Sequence, residues 1–310
     1  MRAKLLLPIV ATALLCLAAC DFEDFGGFDR YRQDFHYSYP LKSGGRLSVE
    51  TFNGPVEVSG WDQETVDISG SKSGPTQQAA DALKIAIDNS PDSVSTRATR
   101  PSDHRGNLGA RFVIKIPRAA YVDRIFTSNG AIRTEDGSGP SRLRTSNAAI
   151  RVQSLRGSLD AQTSNGSIEL IDIDGDAKAH TSNGHIRTEG LRGGLEADTS
   201  NSSINARLAQ VPAGRPVRLE TSNGSVELSL PANFANEIRA NTSNGGITLH
   251  MPYQVNAHVM ARTTNSSISS DFEIRMQGDF SRNRLEGVIG NGGPLIDLST
   301  SNGSIRLLKM

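Results

Sequence analysis

Charged side chains recur at one position of a sequence repeat and are the residues best placed to do chemistry. Arg151, Glu169 and Arg187 are spaced eighteen residues apart, each six residues after a threonine. Carboxylates and basic groups that converge on one outer face could act as general acid and base on a polysaccharide. Exposed charge pairs also form without a catalytic role, and each contributes under about 1 kcal/mol. We therefore interpret the three as a solvent-exposed salt-bridge ladder and predict no catalytic residue.

Acidic and histidine side chains could bind metal, but their spacing does not fit the usual ligand patterns. In a calcium loop beginning at Asp172, the glycine should come sixth and a glutamate twelfth, whereas Gly175 comes fourth and Asn183 twelfth. His180 and His185 flank one corner without the spacing of a zinc motif. The sequence also contains no nucleophile elbow, P-loop or dinucleotide fingerprint. We predict neither a metal nor a cofactor.

The composition limits the remaining function classes. The chain of 310 residues has 33 Lys and Arg against 33 Asp and Glu, which gives no basic field and argues against nucleic-acid binding. Only 5% of the residues are aromatic, so any core must be built from small aliphatic side chains. The cysteines are Cys16 and Cys20, and neither can form a disulfide if the first is removed and the second is acylated.

The N-terminus has the features of an export signal. Arg2 and Lys4 precede an apolar run that is too short to span a bilayer comfortably. The following Leu-Ala-Ala-Cys resembles the lipobox of bacterial lipoproteins, in which the cysteine is acylated and becomes the first residue. We predict a lipoprotein signal peptide at residues 1–19 and lipidation at Cys20, which would attach the chain to a membrane. The alternative is an ordinary signal peptide cleaved near the same place.

Two further features bear on location. We expect a cell-envelope protein on the periplasmic side of a membrane or at the cell surface, and Asp21 resembles a signal that favours retention at the inner membrane. Residues 20–34 are interpreted as a tether, although their many aromatic side chains leave open a membrane-surface or partner-binding segment.

A four-residue motif, Thr-Ser-Asn-Gly or a close variant, recurs ten times and defines the organisation of the chain. From Thr127 to Thr199 it recurs every eighteen residues; the spacing then loosens to 22, 21 and 21, and finally to 37. Such a period is typical of a solenoid. The motifs begin at Thr51, Thr127, Thr145, Thr163, Thr181, Thr199, Thr221, Thr242, Thr263 and Thr300.

The flanks of each motif alternate between apolar and polar residues, which is the period of a strand. Each repeat, which we call a rung, is therefore predicted to have a strand entering the threonine, a corner, and a strand leaving it. Identical corners favour stacked parallel strands over hairpins, and we expect the corner asparagines and glycines to adopt left-handed backbone conformations. Stacked amides would then form a buried hydrogen-bonded ladder of Asn53, Asn129, Asn147, Asn165, Asn183, Asn201, Asn223, Asn244, Asn265 and Asn302.

These patterns predict an all-β fold, a single-stranded parallel β-helix with rungs of about 18–22 residues. Residues 119–310 should form its regular part, and residues 35–118 irregular rungs and a cap within the same continuous domain. Within this cap, a helical turn is expected from Gln77, followed by a strand that includes Ile85 and Ile87.

The segment Gly44–Trp61, followed by serial Thr-Ser-Asn-Gly units, resembles the bacterial putative adhesin family, a domain of unknown function. The resemblance covers roughly residues 35–310. It implies a right-handed parallel β-helix on envelope-anchored proteins and supplies no catalytic residues. The departures are Ala148, Ser202 and Ser266, which stand where the motif has glycine.

Together these observations predict a non-enzymatic, lipid-anchored envelope protein that acts as a scaffold or binding surface, as an adhesin would. The expected partners are the membrane, through Cys20, and a surface glycan or another envelope protein. Two alternatives remain open: a carbohydrate-active β-helix enzyme and an accessory of an envelope-stress signalling system. The sequence does not indicate an oligomeric state.

Overall fold

The computed structural model describes residues 31–101, 107–276 and 281–310. Within them the chain forms 27 strands and one short helix, and the strands belong to one long open sheet. The predicted all-β class is confirmed. The predicted signal peptide, Cys20 and Asp21 lie outside the described residues.

The N-terminal elements are β1 (Tyr31–Pro40), β2 (Arg46–Glu50), β3 (Val56–Trp61), β4 (Thr65–Gly74), α1 (Gln77–Ala82), β5 (Lys84–Ser90), β6 (Ser93–Thr99) and β7 (Gly109–Pro117). The middle strands are β8 (Tyr121–Phe126), β9 (Ile132–Ser138), β10 (Ser141–Arg144), β11 (Ile150–Arg156), β12 (Leu159–Gln162), β13 (Ile168–Asp174), β14 (Ala177–Thr181), β15 (Ile186–Arg192), β16 (Leu195–Thr199), β17 (Ile204–Gln210), β18 (Val217–Thr221), β19 (Val226–Ser229), β20 (Ile238–Asn241) and β21 (Ile247–Met251). The C-terminal strands are β22 (Ala257–Thr263), β23 (Ile268–Ser270), β24 (Ile274–Met276), β25 (Arg284–Ile289), β26 (Leu295–Thr300) and β27 (Ile305–Lys309).

The middle strands pair in parallel with the second strand along the chain rather than with the next one. The even-numbered strands from β8 to β20 form one ladder, and the odd-numbered strands from β9 to β21 form another. Equivalent residues face each other, as when Ile150 pairs with Ile132 on one side and Ile168 on the other. Each rung therefore stacks on the next, and we call this series of rungs the stack.

Alternation along each strand explains the core. In β13 the side chains of Ile168, Leu170 and Ile173 are fully buried, whereas those between them are more exposed. Small aliphatic residues at equivalent positions form one continuous cluster, and among the described residues Phe112 is its only aromatic side chain that is completely buried. Because each rung covers the apolar residues of its neighbours, little aromatic mass is required.

At the N-terminal end, antiparallel strands follow the outermost parallel rung. The rung of β2 and β3 lies between β6 and β7 on one side and β8 and β9 on the other. Beyond it, β5 pairs with β6, β4 with β7, and β1 with β4, all antiparallel. Helix α1 begins after Thr76, whose side chain accepts from the Ala79 amide, and the expected helical turn before a strand is confirmed. Strand β1 begins at Tyr31, four residues before the expected start of the domain at residue 35.

At the C-terminal end the order in space differs from the order in sequence. Strand β26 pairs with both β20 and β22, and β27 pairs with both β21 and β23. The last rung of the chain, at Thr300, therefore lies between the rungs of Thr242 and Thr263. Strands β25 and β24 then extend β22 in antiparallel pairing.

Candidate functional site

The corner threonines hold neighbouring rungs together. Thr163 Oγ1 donates to the carbonyl of Ala148 on the preceding rung at 2.9 Å and accepts from the amide of Gly166 on its own rung at 3.4 Å. Thr163 itself is buried. The same pair of bonds recurs at Thr181, Thr221, Thr242 and Thr300. A hydroxyl suits this position because it both donates and accepts.

The structure brings nine of the ten predicted asparagines into one chain of hydrogen bonds. Asn165 Nδ2 donates to Asn147 Oδ1 and accepts, through its own Oδ1, from Asn183 Nδ2, both at 2.7 Å. All eight bonds run in this direction, and they follow the spatial order Asn129, Asn147, Asn165, Asn183, Asn201, Asn223, Asn244, Asn302 and Asn265.

The expectation of a buried ladder is wrong. All nine asparagines are exposed, and the buried column beside them is that of the threonines. The corner side chain that faces the core is the shorter one, whose single hydroxyl the backbone can satisfy. The asparagine ladder is thus a surface feature.

The tenth asparagine pairs with a residue that the repeat pattern does not reveal. Asn53 Nδ2 donates to Asn107 Oδ1 at 3.1 Å and to the Leu108 carbonyl at 2.9 Å. Asn107 does not belong to a Thr-Ser-Asn-Gly motif or to a variant of it. The signal that could have revealed it is its position two residues before a strand that begins with glycine.

The expected left-handed corner conformation is also wrong. Among the ten corner asparagines none has a positive φ, and among the corner glycines only Gly54 does. Close approach of the backbones explains the glycines instead, because a Cβ on Gly166 would lie 1.9 Å from the Ala148 carbonyl oxygen. Ala148, Ser202 and Ser266 show that the corner accommodates a side chain at some rungs.

The predicted salt-bridge ladder is only partly correct. Arg151 and Glu169 are neighbours in register and their side chains approach to 3.2 Å. Arg187 is the next residue in register, but it pairs with Glu189 on its own strand at 2.6 Å. That hydrogen bond raises the pKa of the Arg187 guanidinium and lowers the pKa of the Glu189 carboxyl. A same-strand partner two residues away points to the same face, so it competes with the partner on the next rung.

Two of the other residues considered as metal ligands, His180 and Asp176, have structural partners. His180 Nδ1 lies 3.3 Å from Asp198. Asp176 accepts from the amide of Gly194 and from the guanidinium of Arg215, both at 2.9 Å. Across the described ranges, no three histidine, cysteine or acidic side chains are grouped so that they could hold a metal ion. In the same ranges no helix has the length and apolar character to cross a membrane.

Four successive rungs share an unusual backbone conformation. Asp136, Ser154 and Asp172 have φ of 54°, 56° and 52°, and Gly190 at the same position has φ of 71°. Asp136, Ser154 and Asp172 are the only residues other than glycine with positive φ in the part of the chain that the structure describes. Each one interrupts the alternation of inward and outward side chains along its strand, so that the next residue, such as Leu155, points into the core again. Left-handed backbone in a residue other than glycine costs about 1 kcal/mol.

Asp136, Ser154 and Asp172 line an open groove of about 360 Å³, which we call the left-handed groove. Its charged residues are Arg118, Arg156, Arg192, Asp136, Asp172 and Asp174. At one end Arg118 donates to Asp136 at 2.6 Å and to Asp62 at 2.9 Å. The pKa of Arg118 is raised, first by its hydrogen bond to Asp136 and then by that to Asp62.

The remaining charges of the groove are not paired with each other. Arg156, Asp174 and Arg192 are neighbours in register, and all three are exposed. Within the described residues neither Arg156 nor Arg192 forms an ion pair or a side-chain hydrogen bond. The groove therefore offers free guanidinium donors and carboxylate acceptors to an external ligand.

A larger groove of about 580 Å³ lies on another face and has a different character. Its charged residues largely neutralise one another or their neighbours: Lys178 lies 2.8 Å from Glu196, and Arg142 lies 3.6 Å from Asp160. We therefore take the smaller, left-handed groove as the candidate site.

A family model described as "Domain of unknown function (DUF7330)" matches residues 137–309, which is more than half of the chain. No curated protein matches. Two solved structures are similar: a putative cell adhesion protein from Clostridium sporogenes, at 11% identity and a TM-score of 0.24, covers 90% of this chain and 100% of its own. A putative adhesin from Bacteroides fragilis, at 11% identity and a TM-score of 0.43, covers 90% of this chain and 97% of its own.

Proposed function

This chain belongs to the family described as Domain of unknown function (DUF7330), and we propose that it is a non-enzymatic, lipid-anchored envelope protein that presents a binding surface. This membership bears out the resemblance to a domain of unknown function. The observation that carries the binding role is the left-handed groove, where strained polar residues and unpaired arginines lie together on an exposed face. Strained backbone of this kind is concentrated at functional sites.

We further propose that the stack is a parallel β-helix solenoid. The support is the in-register pairing of every second strand and the hydrogen-bonded corner of each rung. Small-angle scattering of the purified protein should then give an elongated particle whose length reflects about ten rungs at about 4.8 Å each. A compact, nearly spherical particle would contradict the solenoid.

The lipid anchor is proposed from the sequence around Cys20. Cells grown with a labelled fatty acid should incorporate the label into the wild-type protein and not into Cys20→Ser, which should leave the membrane fraction. Replacing Asp21 should move the anchored protein between inner and outer membrane fractions if this residue directs retention. Unlabelled wild-type protein would exclude the anchor.

An adhesin-like role further requires exposure on the cell surface. Met310 is half exposed and follows β27, which is separated from the groove strand β15 by β17, β19 and β21. An epitope tag can therefore be added there without covering the groove. Antibody to this tag should bind intact cells as well as permeabilised ones. Binding only after permeabilisation would place the surface inside the envelope and exclude adhesion between cells, while leaving a periplasmic partner.

A carbohydrate-active enzyme is the second candidate, because Asp172 and Asp174 place two carboxylates in the same groove. Incubation of the protein with polyuronides and peptidoglycan fragments would then release new reducing ends or unsaturated products. The binding role predicts that neither forms.

A further inference from the structure

The left-handed groove keeps polar side chains where the backbone favours glycine. Gly190 shows that the fourth rung adopts the same conformation with no side chain. A bulge that served only to redirect the strand could use glycine at every rung without strain. Asp136, Ser154 and Asp172 instead retain side chains that face the groove. Asp172 also extends over the next rung, since a Cβ on Gly190 would lie 2.5 Å from its Oδ1.

The charges of the groove sum to zero. Three arginines face three aspartates, and with Arg118 bound to Asp136, two free groups of each sign remain: Arg156 and Arg192, Asp172 and Asp174. Arg156, Asp174 and Arg192 lie on successive rungs, so donors and acceptors alternate along the stack. A polyanion attracted by the arginines would be repelled by carboxylates at the same spacing. The hydroxyl groups of an uncharged ligand both donate and accept hydrogen bonds, so they are complementary to the arginines and to the aspartates.

We propose that the left-handed groove binds an extended, uncharged glycan that runs along the stack. The proposal rests on the binding role proposed above and names its ligand class. At about 4.8 Å per rung the four rungs span roughly 14 Å, which accommodates a short run of sugar residues at close to one residue per rung. Arg156 and Arg192 donate to hydroxyl oxygens, and Asp172 and Asp174 accept from hydroxyl groups. None of the described residues that line the groove is aromatic, so binding relies on hydrogen bonds and is weak for a single glycan chain.

The test measures binding of defined oligosaccharides to the full-length protein in detergent by calorimetry and ligand-detected NMR. The probes are cellohexaose, maltohexaose and chitohexaose as uncharged chains, and hexagalacturonate as the anionic comparator. We expect at least one uncharged probe to bind more tightly than hexagalacturonate. The double variant Arg156→Gln/Arg192→Gln should weaken that binding at least tenfold, and Asp172→Asn, which keeps a residue that tolerates left-handed backbone, should weaken it several-fold.

Arg133→Gln provides the matched control, because Arg133 is an exposed arginine of the same stack that lines a different groove. It should leave binding unchanged. The proposal is overturned if no uncharged probe binds, if hexagalacturonate binds best, or if Arg133→Gln weakens binding as much as the double variant. The binding measurements do not depend on the membrane fractionation of Cys20→Ser. The glycan proposal can therefore be contradicted while the lipid-anchored envelope location is supported, and the location can be contradicted while glycan binding is supported.

Discussion

The middle of the stack and its C-terminal end use the same rung but are assembled differently. Between Thr127 and Thr242 each rung lies on the one that precedes it in sequence, and bonded asparagines are 18 to 22 residues apart. At the end, Asn302 donates to Asn244 across 58 residues, and Asn265 donates to Asn302 across 37. The local geometry is unchanged, with both bonds at 2.7 Å.

This difference separates what a repeat specifies from what it leaves free. A Thr-Ser-Asn-Gly corner can stack on any other such corner, so the motif determines the kind of contact and not its order. In the middle, short connections leave only the next rung within reach. At the C-terminal end, β26 and β27 lie between two rungs that both precede them in the sequence. Such contacts close a longer loop and are expected to form late in folding.

The largest expected effect compares two leucines in matching surroundings. Leu219 in β18 and Leu298 in β26 are both fully buried, and each lies between two alanines in register. Replacing either by alanine should lower the free energy of unfolding by about 3 kcal/mol, because each change leaves a cavity in the core. Chemical denaturation measures the loss.

Hydrogen exchange then distinguishes the two regions. Leu298→Ala should accelerate exchange mainly in β22 to β27, whereas Leu219→Ala should accelerate it on both sides of β18. Uniform acceleration by Leu298→Ala would show that the end unfolds together with the middle, and the distinction between the regions would fail.

A pair of engineered disulfides tests the order of the rungs directly. In a background with Cys16 and Cys20 changed to serine, Asn244→Cys with Asn302→Cys should oxidise readily and stabilise the protein by about 2–4 kcal/mol. Asn244→Cys with Asn265→Cys is the matched control, since these positions are two rungs apart, about 9.6 Å, too far for a disulfide. Mass spectrometry of the oxidised proteins identifies the bonds. Oxidation of the control pair and not of the first would show that the rung at Thr263, not the rung at Thr300, lies next to the rung at Thr242.

The sequence was sufficient for the repeating features because they depend on alternation and on residue type. The strand, corner and strand around Thr163 follow from its flanking residues, and the partners of Asn165 follow from the period. The exposure of the amide and the burial of the hydroxyl could not be read from the motif, since both side chains are polar. Close approach of backbones at Gly166, rather than its φ, likewise emerges only from stacking.

The position of the last rung and the left-handed groove depend on tertiary structure. Nothing in the residues around Thr300 identifies Thr242 as its neighbour, because every corner offers the same groups. Asp136, Ser154 and Asp172 share a position in the repeat, but only aspartate among these residue types favours the left-handed region. Their common conformation becomes visible once Leu155 and its equivalents are seen to return to the core.

A smaller effect is expected at the corners, where the buried and exposed columns can be compared within one rung. Thr163→Val should lower the free energy of unfolding by about 1–2 kcal/mol, because the Ala148 carbonyl and the Gly166 amide both lose their partner. Asn165→Leu should cost about 1 kcal/mol or less, since water replaces the lost amide partners. Thermal denaturation of both variants decides the order. A larger loss for Asn165→Leu would contradict the exposed position of the ladder.

Releasing backbone strain in the left-handed groove should raise the free energy of unfolding, whereas the corner substitutions lower it. Ser154→Gly should stabilise the protein by roughly 0.5 kcal/mol, because relief of the left-handed strain exceeds the entropy cost of glycine. Ser164→Gly is the control, since Ser164 has no positive φ, and should destabilise by about 0.5–1 kcal/mol. Equal melting temperatures for the two variants would argue against strain at Ser154.

The smallest effect concerns acid stability at β15, in the middle of the stack. The Arg187 hydrogen bond lowers the pKa of Glu189 in the folded protein below its ordinary value of 4.5. The bond therefore stabilises the fold above the unfolded pKa, and this contribution is lost as pH falls through the lower, folded value. Glu189→Gln should flatten the pH dependence of stability below about pH 4.5 while changing little at neutral pH, because both groups are solvated. Denaturation midpoints between neutral pH and pH 3 measure this, with Glu220→Gln as the exposed control; equal slopes for wild type and Glu189→Gln would show that the same-strand pair makes no contribution.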